Sequence, residues 1–288
     1  MKRVTSFALG MLLLLGVQAM VAQESKAPPK VLSVIREFIK PGRGGMAHEK
    51  TESAFVQAFN RAKWPTHYLA VDSLSGKPRS LFFVGYDSFE AWEKDSNAAQ
   101  KDATLSAALD RATVADGDLL SEVNMSAFLY NEEYSYHSAV DIAHMRYFEI
   151  SLFHLRPGHQ KEWDEAVKMV NAAYAKAIPD AHWAAYEAVY GQPGDTWVFF
   201  TPMKSMVEID QAFMANKKFE AAMGEDGMKK LGELSAAAIE SSETNLFVFN
   251  PRISYPSDDW VKADPGFWKP KAAADSAKKA TGKPAANP

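Results

Sequence analysis

The chain of 288 residues contains no cysteine. That absence excludes disulfide bonds, cysteine-ligated zinc, iron–sulfur clusters, thiol catalysis and a lipid-modified N-terminal cysteine. Phosphate loops rich in glycine, His-Glu-x-x-His helices and Gly-x-Ser-x-Gly turns are missing as well. We therefore do not expect a nucleotide-dependent enzyme.

The chain also has no excess of positive charge, because 32 Lys and Arg stand against 36 Asp and Glu, for a formal net charge of −4. Loss of Lys2 and Arg3 with a leader would make the chain more acidic still. An acidic protein is repelled by nucleic acid and by anionic membranes, so we expect neither as the main partner.

The N-terminus has the layout of a secretory signal peptide. A positively charged start, Met1-Lys-Arg, precedes the apolar stretch 7–17 and then small residues. We predict a signal peptide at residues 1–22, cleavage after Ala19 or Ala22, and export to the periplasm or the exterior. A membrane anchor is the alternative. It is disfavoured because the apolar run is shorter than the ~20 residues of a spanning helix, and no later segment could span a membrane.

The first half of the chain alternates strand and helix patterns, separated by turn residues such as Pro41-Gly42. The predicted elements, in order, are a strand at 31–39, a helix to about 63, strands at 67–73 and 80–86, a helix from 89 to about 115 broken near 97, and a strand at 119–130.

The second half repeats this order. The predicted elements are a strand at 144–155, a helix at 160–177, strands at 181–189 and 196–201, helices at 203–222 and 227–241 separated by a break at 224–227, and a strand at 245–250. Turn residues and histidines match between the halves at one constant spacing, as His67 with His182 and Gly76 with Gly191. Chance similarity of two α+β units is the alternative, but the shared order favours duplication. We predict α+β class, with ferredoxin-like βαββαβ repeats at 31–135 and 140–256.

The opening strand of the second half carries Tyr147, Glu149 and Phe153 before Pro157-Gly158, and Trp163 follows in the helix. With these residues the chain resembles the dimeric α+β barrel group, which includes NIPSNAP-like and antibiotic-biosynthesis-monooxygenase-like domains. The resemblance implies that two units pair their sheets into one barrel. Here one chain would supply both, so the barrel would be intramolecular and the protein could be a monomer.

The C-terminal part, 257–288, is predicted to be an arm followed by a tail. The aromatics Trp260, Phe267 and Trp268, with Tyr255 just before the arm, would lie on the folded body, or one of them would cover a pocket. Lys271–Pro288 has no apolar anchor, so we expect it to be disordered.

Two histidine patterns are candidates for chemistry. His48 and Glu52 have metal-compatible spacing, but two ligands without a third do not make a site, so we expect an exposed helix face and no metal. His67 and His182 begin equivalent strands and would either bond nearby backbone or serve as polar groups in a barrel cavity. The candidate ligand-binding residues are His67, His182, Trp183, Tyr186, Phe83 and Phe199.

Three functions remain open at this stage. The first is binding of a small hydrophobic or aromatic molecule in the barrel, without a cofactor. The second, implied by the resemblance, is a cofactor-independent monooxygenase or a haem-dependent oxidoreductase, in which His182 would be the haem ligand. The third is an interaction module without a small ligand.

Overall fold

A computed structural model describes residues 27–269, in which one strand–helix order occurs twice. The strands are β1 (Val31–Ile39), β2 (Tyr68–Ser73), β3 (Arg79–Tyr86), β4 (Leu120–Tyr136), β5 (Tyr147–Leu155), β6 (Trp183–Tyr190), β7 (Thr196–Met203) and β8 (Ile239–Phe249). The helices are α1 (Met46–Ala62), α2 (Phe89–Lys101), α3 (Ala103–Gly117), α4 (Gln160–Ala177), α5 (Val207–Ala238), α6 (Asp258–Ala263) and α7 (Pro265–Trp268). The predicted signal peptide, its cleavage sites and the tail Lys271–Pro288 lie outside the described residues.

The eight strands form one closed antiparallel barrel in the order β1-β3-β2-β8-β5-β7-β6-β4. Each half contributes four adjacent strands in the same internal order, with its first strand between its third and its fourth. The halves join at two seams, where β2 pairs with β8 and β4 pairs with β6. The predicted α+β barrel made by a single chain is therefore confirmed.

Alternating side chains on the strands build two layers of core. Inward-facing residues of both halves, such as Val34, Val71, Phe148 and Phe200, share one cluster inside the barrel. Outward-facing residues pack under the helices, as where Trp163 of α4 meets the sheet of the second half. The barrel interior thus belongs equally to both halves.

Local signals set the helix bounds. The Ser88 side chain accepts a hydrogen bond from the backbone N–H of Ala91 and starts α2, as predicted. The break that we placed near residue 97 lies at Asp102, whose carboxylate caps α3 by accepting from two backbone N–H groups. The predicted break in the long helix is confirmed at Gly224, where φ is 73°.

The arm after β8 packs on the barrel, which agrees with the prediction that its aromatics lie on the folded body. The Trp268 side chain is 3% exposed, and its Nε1 donates to the carbonyl of Ala143 at 2.9 Å. Arg146 contacts Asp264 and lies over the ring of Phe267, 3.9 Å from its centroid. Among the described helices, none is long and apolar enough to cross a membrane.

Candidate functional site

A cavity of ≈ 300 Å³ lies inside the barrel, at the end where β2 and β6 begin and β3 and β7 end. Inward-facing side chains from both halves form most of its wall. They include Leu69, Phe83, Phe148, Tyr186 and Phe200. A concave, mostly apolar site with a few polar groups is the usual form of a small-molecule site.

His67 and His182 both line this cavity, each one residue before its strand. His182 Nε2 lies 2.7 Å from the carbonyl oxygen of Pro202, to which it is placed to donate. His67 Nδ1 is buried without a hydrogen-bond partner. Burial lowers the pKa of His67, although the backbone of Tyr255 and the charge of Asp258 act in the opposite direction. The His67 ring is therefore neutral near pH 7.

The other predicted binding residues divide between the two faces of the sheet. Phe83 and Tyr186 line the cavity, and so does Trp183, although its ring stacks on Tyr136 at 5.0 Å. Phe199 does not line it.

Phe199 points to the helix layer, where its ring lies 5.7 Å from that of Phe153. Strand alternation gives the cavity position to its neighbour Phe200 instead. The sequence shows two adjacent phenylalanines and does not say which one faces inward.

Sequence reasoning missed two contributions to the cavity wall, from Pro29 and Asp141, and gave a third, from Trp260, only as an alternative. Pro29 precedes β1, and its carbonyl accepts a hydrogen bond from the Tyr186 hydroxyl at 3.0 Å. Asp141 lies in the connection between the halves, and Trp260 belongs to the arm. None of these segments carries a pattern that reveals its place in the fold, except that an aromatic of the arm was considered as a cover.

The wall is poor in charge. Of the described residues that line it, Asp141 is the one with a carboxylate, and none is Lys or Arg. Burial also raises the pKa of Tyr186, so its hydroxyl stays protonated. An uncharged ligand suits such a wall, because an anion would find no cation to offset its lost hydration.

A haem group in this cavity would need a histidine nitrogen that is free to bind iron and cations beside its propionates. His182, the ligand that the resemblance suggested, uses Nε2 for the Pro202 carbonyl, and its Nδ1 lies 3.4 Å from the carbonyl oxygen of Asp180. The described wall also offers no Lys or Arg for the two propionates. These residues therefore do not fit haem.

His48 and Glu52 do not lie on an exposed face, so that prediction is wrong. Each is 3% exposed, and they meet Glu37 of β1 and Asp116 of α3, with one ligand atom of each residue within 4.8 Å of the others. Burial, helped by the charges of Glu37 and Asp116, raises the pKa of Glu52 to about 10. Spacing along α1 could not reveal the cluster, because its other two members come from distant elements.

Comparison with known proteins yields structural neighbours and no sequence relatives. No family model matches the chain, and no curated protein matches it. A candidate monooxygenase from Fusobacterium nucleatum has a TM-score of 0.51 at 12% identity, over 77% of this chain and 93% of that one. At this level of identity the likeness shows the fold alone, a barrel of the same α+β build.

Two further structures are similar at lower scores. An anthrone oxidase-like protein has a TM-score of 0.47 at 14% identity, over 79% of this chain and 94% of that one. A variant of chlorite dismutase from Candidatus Nitrospira defluvii has a TM-score of 0.47 at 9% identity, over 82% and 96%. Neither adds to the fold assignment.

Proposed function

We propose that this protein binds a small, uncharged, largely apolar or aromatic molecule in its barrel cavity. The observation that carries this is the ≈ 300 Å³ cavity, which is walled by aromatic side chains and lined by His67 and His182. The aromatic rings offer flat contacts, and His67 offers one hydrogen bond that would orient the ligand.

The test is native mass spectrometry of the purified protein, followed by titration with 2-naphthol, an uncharged aromatic probe. Binding should quench tryptophan fluorescence, because Trp183 and Trp260 border the cavity. Phe200→Leu should weaken binding, whereas the matched control Phe199→Leu, on the other face of β7, should not. Equal effects of the two variants, or no bound species at all, would favour an interaction module without a small ligand.

A cofactor-independent monooxygenase is the second candidate, and the neutral His67 ring favours it. A neutral imidazole in an apolar cavity is a suitable general base for an activated, hydroxylated aromatic substrate. The Fusobacterium neighbour supports this only through its name. Oxygen consumption with such substrates, lost in His67→Gln, would distinguish an oxygenase from a carrier. A Soret band in the purified protein would support haem binding instead.

We also propose an evolutionary origin and a location for the protein. The repeated strand order supports a tandem duplication of a NIPSNAP-like or antibiotic-biosynthesis-monooxygenase-like unit, with repeats at 31–135 and 140–256. The sequence of residues 1–22 supports export. N-terminal sequencing of the mature protein tests this, since a chain that begins at Met1 would contradict it.

A further inference from the structure

The helix layer of the first half contains a buried group of four ionisable side chains, separate from the barrel cavity. Glu37 comes from β1, His48 and Glu52 from α1, and Asp116 from the end of α3. His48, Glu52 and Asp116 are each at most 3% exposed. Two carboxylates and one imidazole are thus withdrawn from water at one point, beside Glu37, whose side chain is 13% exposed.

Their internal hydrogen bonds do not satisfy the group. His48 Nε2 lies 3.2 Å from Glu37 Oε2 and 3.7 Å from Asp116 Oδ1, and Thr51 Oγ1 donates to the same Asp116 oxygen at 2.5 Å. Glu52 Oε1 is buried and has no partner. An unpartnered carboxyl oxygen in such a place is costly, and a cation bound within the group would give it a partner.

The second half has apolar residues at the positions equivalent to this group. Glu37 is the seventh residue of β1, and Phe153 is the seventh residue of β5. Phe153 contacts Trp163 of α4, with ring centroids 5.2 Å apart, much as Glu37 contacts His48 of α1. Four residues after Trp163 comes Val167, and four residues after His48 comes Glu52.

Phe153, Trp163 and Val167 pack in one apolar cluster. Apolar residues at these positions therefore suffice to join the opening strand to its helix, and well-packed apolar residues are often more stabilising than buried charges. The polar set in the first half needs a reason other than folding.

We propose that Glu37, His48, Glu52 and Asp116 bind one divalent first-row transition metal ion. In a tetrahedral site with bonds of about 2.1 Å, ligand atoms lie about 3.4 Å apart. The distances from His48 Nε2 to Glu37 and Asp116, 3.2 and 3.7 Å, already bracket that value. One imidazole with three carboxylates suits Zn²⁺ or Mn²⁺, whereas Mg²⁺ rarely uses a nitrogen ligand.

The test uses the full chain, treated with chelator, desalted, and incubated with Zn²⁺, Mn²⁺ or Mg²⁺. Elemental analysis after a second desalting should find one Zn²⁺ per chain, weaker retention of Mn²⁺ and none of Mg²⁺. The melting temperature should rise with Zn²⁺, because the site exists only in the folded chain. No retention and no rise would overturn the proposal.

Variants locate the site. Glu52→Leu should abolish retention, while the ion-free variant should melt at or above the temperature of the ion-free wild type, because a buried carboxyl has been removed. His48→Ala should also lose the ion. The control His159→Ala removes a half-buried histidine beside Glu162, at the start of α4 and away from the group of four, and this variant should retain the ion. Undiminished retention in folded Glu52→Leu and His48→Ala would overturn the site.

If both variants fail to fold, Co²⁺ bound to the wild type decides. Intense visible bands of a four- or five-coordinate ion support a protein-made site, and the weak bands of a hydrated six-coordinate ion contradict it.

Discussion

His67 and His182 hold equivalent positions but make different hydrogen bonds. The short contact from His182 to the Pro202 carbonyl joins the start of β6 to the end of β7. His182→Ala should therefore lower the free energy of unfolding by about 1 kcal/mol, because this hydrogen bond is lost. Urea unfolding measures the change. An unchanged free energy of unfolding in His182→Ala would contradict the contact.

The lowered pKa of His67 predicts a dependence of stability on pH. The ordinary histidine pKa of about 6.5 applies to the unfolded chain, so the unfolded state takes up a proton before folded His67 does. The stabilisation from this group is complete above that pH and is lost as pH falls from about 6.5 through the folded pKa. His67→Gln should flatten the curve of unfolding free energy between pH 7 and 5. An unchanged slope would show that His67 titrates normally.

The sequence was enough to select candidate residues of the cavity, but it did not show which face each side chain occupies or what surrounds it. Matching positions in two halves led to His67 and His182, since a repeat places equal residues equally. The choice of Phe199 over Phe200 failed because it depends on the phase of a pleat. The cluster around Glu52 stayed hidden because its members meet only after β1, α1 and α3 have packed.

The bounds of elements that are flanked by clear turn residues could be predicted from the sequence. The polar ends of strands could not. β1 and α4 match their predicted bounds because Pro-Gly turns follow the opening strands and apolar residues recur along the helix. β8 begins at Ile239, earlier than predicted, because its first residues are exposed and polar. β4 likewise continues to Tyr136 through exposed glutamates. These polar ends are strands because they pair with neighbouring strands, and the local residue pattern does not reveal that pairing.

The C-terminal arm gives a prediction at the scale of an element. Trp268 is packed among the barrel core residues, near Phe249 and Trp260. Trp268→Ala should cost about 3–5 kcal/mol, as for other buried tryptophans. A chain that ends at Pro270 should keep its melting temperature, since Lys271–Pro288 has no apolar anchor. Calorimetry of both separates the two parts, and a large loss on truncation would show that the tail is packed.

At the scale of the whole molecule, neither half has a complete interior. The core cluster inside the barrel takes Leu32 and Phe83 from the first half and Phe148 and Phe200 from the second. The ring of Phe83 makes T-shaped contacts with the rings of Phe148 and Phe200, with centroids 5.9 and 5.5 Å apart. Removing one half would expose this apolar surface and leave β2 and β4 as unpaired edges.

A fragment of residues 27–140 should therefore not be a stable monomer. It should aggregate, or form a dimer in which a second copy replaces the missing half and restores a barrel. Light scattering gives its mass, and thermal unfolding at several concentrations should show a midpoint that rises with concentration. Mixing it with fragment 141–269 should yield a heterodimer with the 2-naphthol site, because β2 and β6 both contribute to the cavity. A soluble, monomeric and cooperatively melting fragment would show that the halves are independent domains and that the shared interior does not hold them together.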